Sequence, residues 1–162
     1  MKKCLICSNE FNPFVDFGSM PIANAFSTKK ELENEYFFPM QVGFCETCKM
    51  VQLLEQPDRE KMFHDSYAFF SSTSNYMINH FKKFANSVSS LQNLSKKSFV
   101  VEIGSNDGIM LQNFVSDNIP CLGVEPSKNV AHVAMERGIE VTTEFFDRPL
   151  AEKISKTHQK VD

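Results

Sequence analysis

The stretch that most constrains the fold is VVEIGSNDG, residues 100–108. An unbroken apolar run that ends in Glu-x-Gly-x-x-x-Gly and opens a helix, expected over residues 109–115, is typical of an α/β domain. There the loop amides and the helix N-terminus face a ligand. A second apolar strand, CLGV, ends on Glu125, which is placed to accept hydrogen bonds from the paired hydroxyls of a ribose. The pattern therefore predicts a site for a nucleoside-bearing cofactor.

The loop residues indicate which cofactor is favoured. A dinucleotide fingerprint is G-x-G-x-x-G, whose second glycine lets the backbone approach a pyrophosphate. Asn106 stands in that position and brings a side chain, while Glu102 at the strand end suits a cation better than a phosphate. S-adenosylmethionine carries an ammonium, a sulfonium and a ribose but no phosphate, so the charges favour it over NAD. The alternative is a glycine turn that only packs helix on strand, with Glu102 and Glu125 solvated.

Composition excludes several other classes of protein. The 162 residues suit one large domain or two small ones, and 42% hydrophobic content is ordinary for a globular chain. The net charge is -3 and the lysine pairs are scattered, so a basic footprint for nucleic acid is missing. No apolar run approaches the roughly 18 residues that span a bilayer, and no signal-like segment follows the N-terminus. We expect a soluble, cytoplasmic protein.

The five cysteines are better interpreted as thiols than as disulfides. Cys4-x-x-Cys7 is matched by Cys45-x-x-Cys48, and two such knuckles bring four thiolates within tetrahedral reach of one zinc ion. Because no coordination position stays open, the predicted site is structural. Cys121 lies inside an apolar strand and is expected to be a small buried residue.

The pattern along the chain predicts three segments. Residues 1–56 form a small β-rich module whose folding depends on zinc, because so short a segment has little core. Residues 57–97 form a helical connector with a substrate or lid segment, and residues 98–162 form the first half of a Rossmann-like domain. The expected elements are strands at 11–17, 37–44, 50–54, 100–103, 121–124 and 139–142, a loop at 16–26, and helices at 57–64, 76–91, 109–115, 128–137 and 147–154.

The predicted fold class is thus α/β, a zinc-bound β-rich module followed by a partial, doubly wound parallel sheet. Residues 160–162 are expected to enter a fourth strand. Since the sequence stops there, the other edge of the first strand is expected to be unpaired, which is an aggregation liability. We expect a fragment or a chain completed by a partner, with self-association through that edge.

These segments together resemble the N-terminal part of the zinc-containing sugar C-methyltransferases, which methylate a ring carbon of nucleotide-linked keto-deoxysugars. The glycine loop of that family is similar to EIGSNDG, so Asn106 in place of glycine supports the methyl donor over NAD. The matching pieces run nearly the whole chain in the order of the family: CLIC, FGSMPIANAF, CETC, YAFFSSTSNYMINHF, VVEIGSNDGIML and LGVEPSKNVA.

The resemblance assigns roles to individual residues. It makes the four paired cysteines zinc ligands. It places Glu102 near the cationic end of S-adenosylmethionine, Glu125 at the ribose, and Pro126 and Phe146 near the adenine. The remaining implied contacts with the donor are Gly104, Ser105, Asn106 and Gly108. The implied contacts with a nucleotide-sugar substrate are Asn24, Phe26, Tyr67, Ser71, Ser72, Ser74 and Tyr76.

One part of the family pattern has no counterpart here. The family's general base resembles an acidic-His-x-x-Tyr motif just past the fourth strand, so the catalytic base is expected beyond Asp162. Carbon methylation needs such a base, of tuned pKa, to remove a proton beside a carbonyl. His64 and His80 lack an evident carboxylate partner in sequence, and neither is assigned this role.

Two other functions stay open at this point. The chain could be a non-catalytic, zinc-stapled module that binds a nucleotide or a protein. It could also be an NAD-dependent sugar oxidoreductase if Asn106 permits a pyrophosphate. The sequence does not choose the sugar, the carbon or the nucleotide.

Overall fold

The computed structural model describes residues 2–23 and 26–162. The chain divides into two compact units, Met1–Met62 and Phe63–Asp162, so that the predicted connector, residues 57–97, contributes to both. The first unit is an antiparallel sheet that carries four cysteines, and the second is a parallel sheet with helices. The predicted fold class, a zinc-type β module followed by a partial Rossmann-like sheet, is confirmed.

The first unit is built on a four-stranded antiparallel sheet in the order β1-β2-β3-β4. Its buried hydrophobic cluster is small, consisting of Cys4, Phe11 and Cys45 with Leu54 packed against them, and Phe38 is buried besides. So small a core contributes little hydrophobic stabilisation, which is why a metal is needed to hold such a module together. The elements are β1 (Lys2–Lys3), β2 (Glu10–Pro21), a 3-10 turn (Glu31–Asn34), β3 (Phe37–Phe44), β4 (Val51–Leu53) and α1 (Arg59–Met62).

Strand β2 is longer than the sequence pattern predicts. The strand was expected to end at Phe17 and to run into a loop at 16–26, but β2 continues to Pro21 and pairs with β3, so the loop expectation is wrong for residues 18–21. The pairing register shifts between Asp16 and Ser19, and Gly18 adopts a φ of 75° there. Asp16 Oδ1 accepts from the Gly18 N–H at 2.7 Å. This β-bulge breaks the alternation of inward and outward side chains, so the strand has no readable period.

The second unit contains a three-stranded parallel sheet in the order β5-β6-β7. Helix α2 is capped by Ser74, whose Oγ accepts from the Met77 N–H, and it ends on Asn93 in the left-handed conformation. Helix α5 is capped by Asp147, whose side chain accepts from the Leu150 N–H. The elements are a 3-10 turn (Ser71–Thr73), α2 (Asn75–Gln92), β5 (Val100–Ile103), α3 (Leu111–Ser116), β6 (Cys121–Val124), α4 (Lys128–Glu136), β7 (Glu140–Thr142) and α5 (Arg148–Thr157).

Both faces of this sheet are covered, which explains the unbroken apolar character of β6. Cys121 belongs to a cluster with buried residues of α2, α3 and α4. Leu122 and Val124 belong to another cluster, with Leu150 and Ile154 of α5. A strand buried on both faces needs apolar residues at every position, whereas a half-buried strand alternates. The layers are therefore helix, sheet, helix, the arrangement of a doubly wound fold.

Strand β5 pairs with β6 on one side only within the described residues. On its other side the Asp162 N–H donates to Phe99 O at 3.1 Å, and the Phe99 N–H donates to Asp162 Oδ2 at 3.0 Å. Residues 160–162, predicted to enter a strand, lie along this edge without regular secondary structure. No helix among residues 2–23 and 26–162 is long and apolar enough to cross a membrane.

Candidate functional site

The two cysteine knuckles have the same backbone. Cys4 O accepts from the Ser8 N–H at 2.9 Å, and Cys45 O accepts from the Lys49 N–H at 2.7 Å. Ser8 and Lys49 have φ values of 60° and 64°, so each knuckle closes with one left-handed residue. The repeated turn points both cysteines of a knuckle toward a common centre.

The four sulfur atoms of these knuckles form one cluster, in which all lie within 4.8 Å of one another. The Sγ atoms of Cys4 and Cys48 are 3.5 Å apart, as are those of Cys7 and Cys45. A tetrahedral zinc with Zn–S bonds of about 2.3 Å would separate its sulfurs by about 3.8 Å. The donor set therefore fits zinc, and four protein ligands would leave no coordination position for a substrate.

Polar groups around the cluster support negatively charged sulfur. The Gln52 Nε2 donates to Cys4 Sγ at 3.0 Å, and the Ile6 N–H donates to the same atom at 3.4 Å. The Asn9 Nδ2 donates to Cys7 Sγ at 3.4 Å. Such donors orient thiolate ligands and spread their charge.

The pKa values of the cluster move in opposite directions. The Cys7 backbone N–H is the main cause that lowers the pKa of Cys4, to about 6. The Met50 N–H lowers the pKa of Cys48, but burial and the sulfurs of Cys4, Cys45 and Cys7 outweigh it and raise that pKa to about 12. Crowded thiolates repel one another, and a divalent cation at their centre removes the conflict.

The loop between β5 and α3 contains three residues with positive φ: Gly104 at 72°, Asn106 at 49° and Gly108 at 78°. A Cβ at Gly104 would meet no atom within 4 Å, so this glycine faces open space beside the loop. At Gly108 a Cβ would collide with the Ile139 side chain and lie 3.1 Å from Ala134 Cβ. Gly108, predicted to line the donor site, is thus required for close packing of the loop on α4 and on Ile139, just before β7.

Glu125 follows β6 and is only 5% exposed. Its Oε2 accepts from the Asn106 N–H at 3.0 Å, and its Oε1 accepts from the Ser127 N–H at 2.9 Å. The carboxylate thereby joins the glycine loop to the residue before α4, with the half-buried Pro126 between. Each oxygen keeps a second lone pair, so the group can still accept hydrogen bonds from a ligand.

Glu102 lies in β5, just before the glycine loop. Its Oε2 is buried and has no hydrogen-bond partner in the described part of the chain. Burial raises the pKa of this carboxyl to about 8. Ser105 Oγ is also buried without a described partner. A buried, unpaired carboxyl is costly unless it stays protonated or meets a cation.

Asn106 turns its side chain toward the segment that precedes α2. Its Oδ1 accepts from the Ser71 N–H at 2.9 Å, and its Nδ2 donates to Phe69 O at 3.0 Å. Nearby, the Asn129 Nδ2 of α4 donates to Tyr67 O at 2.7 Å. The backbone around the predicted substrate residues Tyr67 and Ser71 is therefore fixed to the glycine loop and to α4.

Two charged residues that sequence analysis did not assign lie at the same place. Asp107 is fully buried, and its Oδ2 accepts from both the N–H, at 3.1 Å, and the Oγ of Ser72. Arg137 follows α4 and donates through Nη1 to Asp107 O at 2.7 Å and through Nη2 to Ser72 Oγ at 2.8 Å. An acid between two glycine-loop residues was the available signal for Asp107, whereas Arg137 had none in the sequence.

The other predicted ligand-binding residues are dispersed. Ser74 caps α2, and Tyr76, on its first turn, is 78% exposed. Phe146 is 43% exposed and lines a groove of about 510 Å³ with Val101 and Ile103 of β5. Phe26, in the first unit, is 77% exposed with a φ of 48°. Asn24 lies outside the described residues. Within the second unit the structure thus brings the glycine loop together with Glu125, Ser71 and Ser72.

The fold and the cysteine cluster define a zinc-binding domain joined to a partial Rossmann-like sheet. Residues 4–63 match a family model described as "Putative zinc binding domain", and the match includes all four clustered cysteines. The predicted zinc module is thereby supported by both the geometry of the cysteines and the match to this family model.

The chain is also similar to a curated enzyme. Over 158 residues, 96% of this chain, it is 29% identical to the C-methyltransferase NovU of Streptomyces niveus. The resemblance to zinc-containing C-methyltransferases is confirmed. The chain spans 37% of the length of that relative.

Proposed function

We propose that this chain carries the zinc module and the donor-binding half of an S-adenosylmethionine-dependent methyltransferase. The observation that carries the proposal is the buried Oε2 of Glu102 beside the glycine loop, which has no hydrogen-bond partner among the described residues. An ammonium or sulfonium group would satisfy this carboxyl, whereas the pyrophosphate of NAD would repel its charged form. The similarity to a C-methyltransferase supports the same choice.

Three residues at the proposed donor site would then have distinct roles. Glu102 would neutralise the cationic end of the donor, and the open face of Gly104 would admit its methionine part. Glu125 would accept from the ribose hydroxyls with the lone pairs that its two backbone hydrogen bonds leave free. Bound there, the donor supplies an electrophilic methyl group, and the chain's own contribution is to orient it and to balance its charge.

We further propose that the acceptor is a nucleotide-linked keto-deoxysugar methylated at carbon. Methylation at carbon is the activity of the relative, and the nucleotide-sugar acceptor rests on the resemblance through YAFFSSTSNY, residues 67–76. The backbone N–H groups of Ser71 and Ser72 and the Ser72 hydroxyl contact the glycine loop, where the donor and a sugar would meet. Zinc would hold the first unit folded and take no part in the reaction.

Calorimetric titration of the zinc-loaded chain tests the donor site. We expect S-adenosylmethionine and S-adenosylhomocysteine to bind, and NADH not to bind. Glu125→Ala should abolish binding, and Glu102→Gln should weaken S-adenosylmethionine binding by about tenfold, the effect of losing one charged contact. Glu152→Gln, on the exposed side of α5, is the matched control and should change nothing.

Other outcomes distinguish the alternatives. Preferential binding of NADH would replace the methyltransferase with a sugar oxidoreductase. Absence of binding to all three compounds, in a chain whose helical signal is intact, would favour a non-catalytic zinc module.

A further inference from the structure

We infer that Asp107 and Arg137 are positioning residues that hold the segment Phe69–Thr73 on the glycine loop, so that the order of this segment and the geometry of Glu125 are coupled. We refer to the side chains of Asn106, Asp107, Arg137 and Ser72 as the clamp. The coupling to a donor site rests on the proposed function, but the clamp itself does not.

The clamp pairs two stretches of chain in register. The loop residue Asn106 accepts from the Ser71 N–H, and the next loop residue, Asp107, accepts from the Ser72 N–H, at 2.9 and 3.1 Å. In both pairs the partners are 35 residues apart. The Asn106 Nδ2 returns a hydrogen bond to Phe69 O at 3.0 Å. Neighbouring residues of one stretch thus bind neighbouring residues of the other, which fixes position and direction together.

Burial makes the contacts of Asp107 obligatory. The residue is fully buried, and its Oδ1 has no hydrogen bond in the described structure. Its opposite charge comes from Arg137, whose Nη1 lies 3.8 Å from that oxygen and whose side chain is 31% exposed. A buried carboxylate without its partners is strongly unfavourable. Asp107 therefore depends on both Ser72 and Arg137.

Arg137 bridges the two stretches. One guanidinium nitrogen donates to Asp107 O at 2.7 Å and the other donates to Ser72 Oγ at 2.8 Å. A planar guanidinium can make both bonds at once, whereas a lysine ammonium offers one point of charge on a flexible stem. Arg137 is thus suited to lock the loop and the segment in one relative position.

The clamp reaches the donor site through one residue. Asn106 binds the segment with its side chain, while its backbone N–H donates to Glu125 Oε2 at 3.0 Å. Its φ of 49° lies in the left-handed region, which this pair of contacts holds in place. Displacement of the segment would therefore move the residue that orients Glu125.

Amide hydrogen exchange in the zinc-loaded chain without ligand tests the clamp directly, because the clamp side chains Asn106 and Asp107 accept hydrogen bonds from the Ser71 and Ser72 N–H groups. In Arg137→Gln we expect the exchange of both amides to rise by about tenfold or more, while the amides of β6 keep their rates. Arg137→Lys should restore part of the protection, and Ser72→Ala should raise exchange without altering any charge. Arg148→Gln, which removes an exposed ion pair on α5, is the control and should leave both amides unchanged.

If Arg137 and Ser72 only stabilised the second unit as a whole, the exchange pattern would differ. If exchange at Ser71 and Ser72 rose only in parallel with β6, or did not rise in Arg137→Gln and Ser72→Ala, the clamp would be refuted. Titration with S-adenosylhomocysteine then tests the coupling: Arg137→Gln should bind it about fivefold or more weakly, with unchanged β6 protection. Unchanged affinity would refute the coupling. If the parent chain binds no such ligand but shows the exchange effect, the proposed donor site fails and the clamp stands.

Discussion

Substitution of Glu102 by Gln should make the protein more stable at neutral pH. In the folded protein burial raises the pKa of Glu102 to about 8 from an ordinary value of 4.5. Folding therefore takes up a proton between these two pH values. The free energy of unfolding contributed by protonated Glu102 is fully present below about pH 4.5 and is lost as the pH rises toward 8. Glutamine has nearly the same shape and carries no charge to bury.

The size of the effect follows from the width of this pH window. One pKa unit corresponds to about 1.4 kcal/mol. From roughly pH 5 to pH 7 the unfolded carboxyl is mostly ionised and the folded one mostly protonated, so the parent chain should lose about 2 to 3 kcal/mol relative to Glu102→Gln.

Urea unfolding of the parent chain and of Glu102→Gln at roughly pH 5 and pH 7 measures this difference in unfolding free energy. The helical circular dichroism signal reports the second unit, because α2–α5 all belong to it. Glu152→Gln on the exposed face of α5 serves as the control and should follow the parent chain. Parallel pH profiles for the parent and Glu102→Gln would mean that Glu102 is not desolvated in the folded protein, and the argument for a cation beside it would fall.

Three more results are expected. Cys45→Ser, or chelation of the metal, should remove one equivalent of zinc and unfold β2 and β3 while the helical signal persists. Metal analysis measures the zinc, and a variant that retains one equivalent would exclude the four-cysteine site. In urea unfolding, Gly108→Ala should destabilise the second unit by about 1 to 3 kcal/mol more than Gly138→Ala. Both glycines have a similar φ, but only Gly108 is packed against Ile139. Equal losses of unfolding free energy in the two variants would point to backbone strain alone. Binding of S-adenosylmethionine at about pH 7 should release close to one proton, because Glu102 ionises beside the cation. Calorimetry in two buffers of different ionisation enthalpy measures this release. An equal release by Glu102→Gln would assign the proton to another group.

Features set by local sequence could be predicted. The bounds of β3, residues 37–44, agree with the expected strand, and β5 and β6 lie where the apolar runs place them. The cysteine cluster follows from knuckle spacing, since two short turns with the same backbone meet in one place. In each case the signal lies within a few neighbouring residues.

Features set by distant contacts could not be predicted. The β-bulge at Asp16 hides the period of β2, because the register shift depends on pairing with β3. Arg137 and Ser72 are 65 residues apart, and nothing in either neighbourhood indicates their contact. Asn106 was expected at the donor, and only the folded chain reveals that its side chain binds Phe69 and Ser71.

The cysteines of the two units differ in environment, so their reactivity can report on each unit separately. Four of the five cysteines lie in the zinc cluster, and the fifth, Cys121, is buried in β6 at 8% exposure. Burial raises the pKa of the Cys121 thiol to about 11, so alkylating reagents should reach it only when the parallel sheet opens. With zinc bound, the rate at which Cys121 is alkylated therefore measures the opening of this sheet, and the metal-bound cysteines report separately on the first unit.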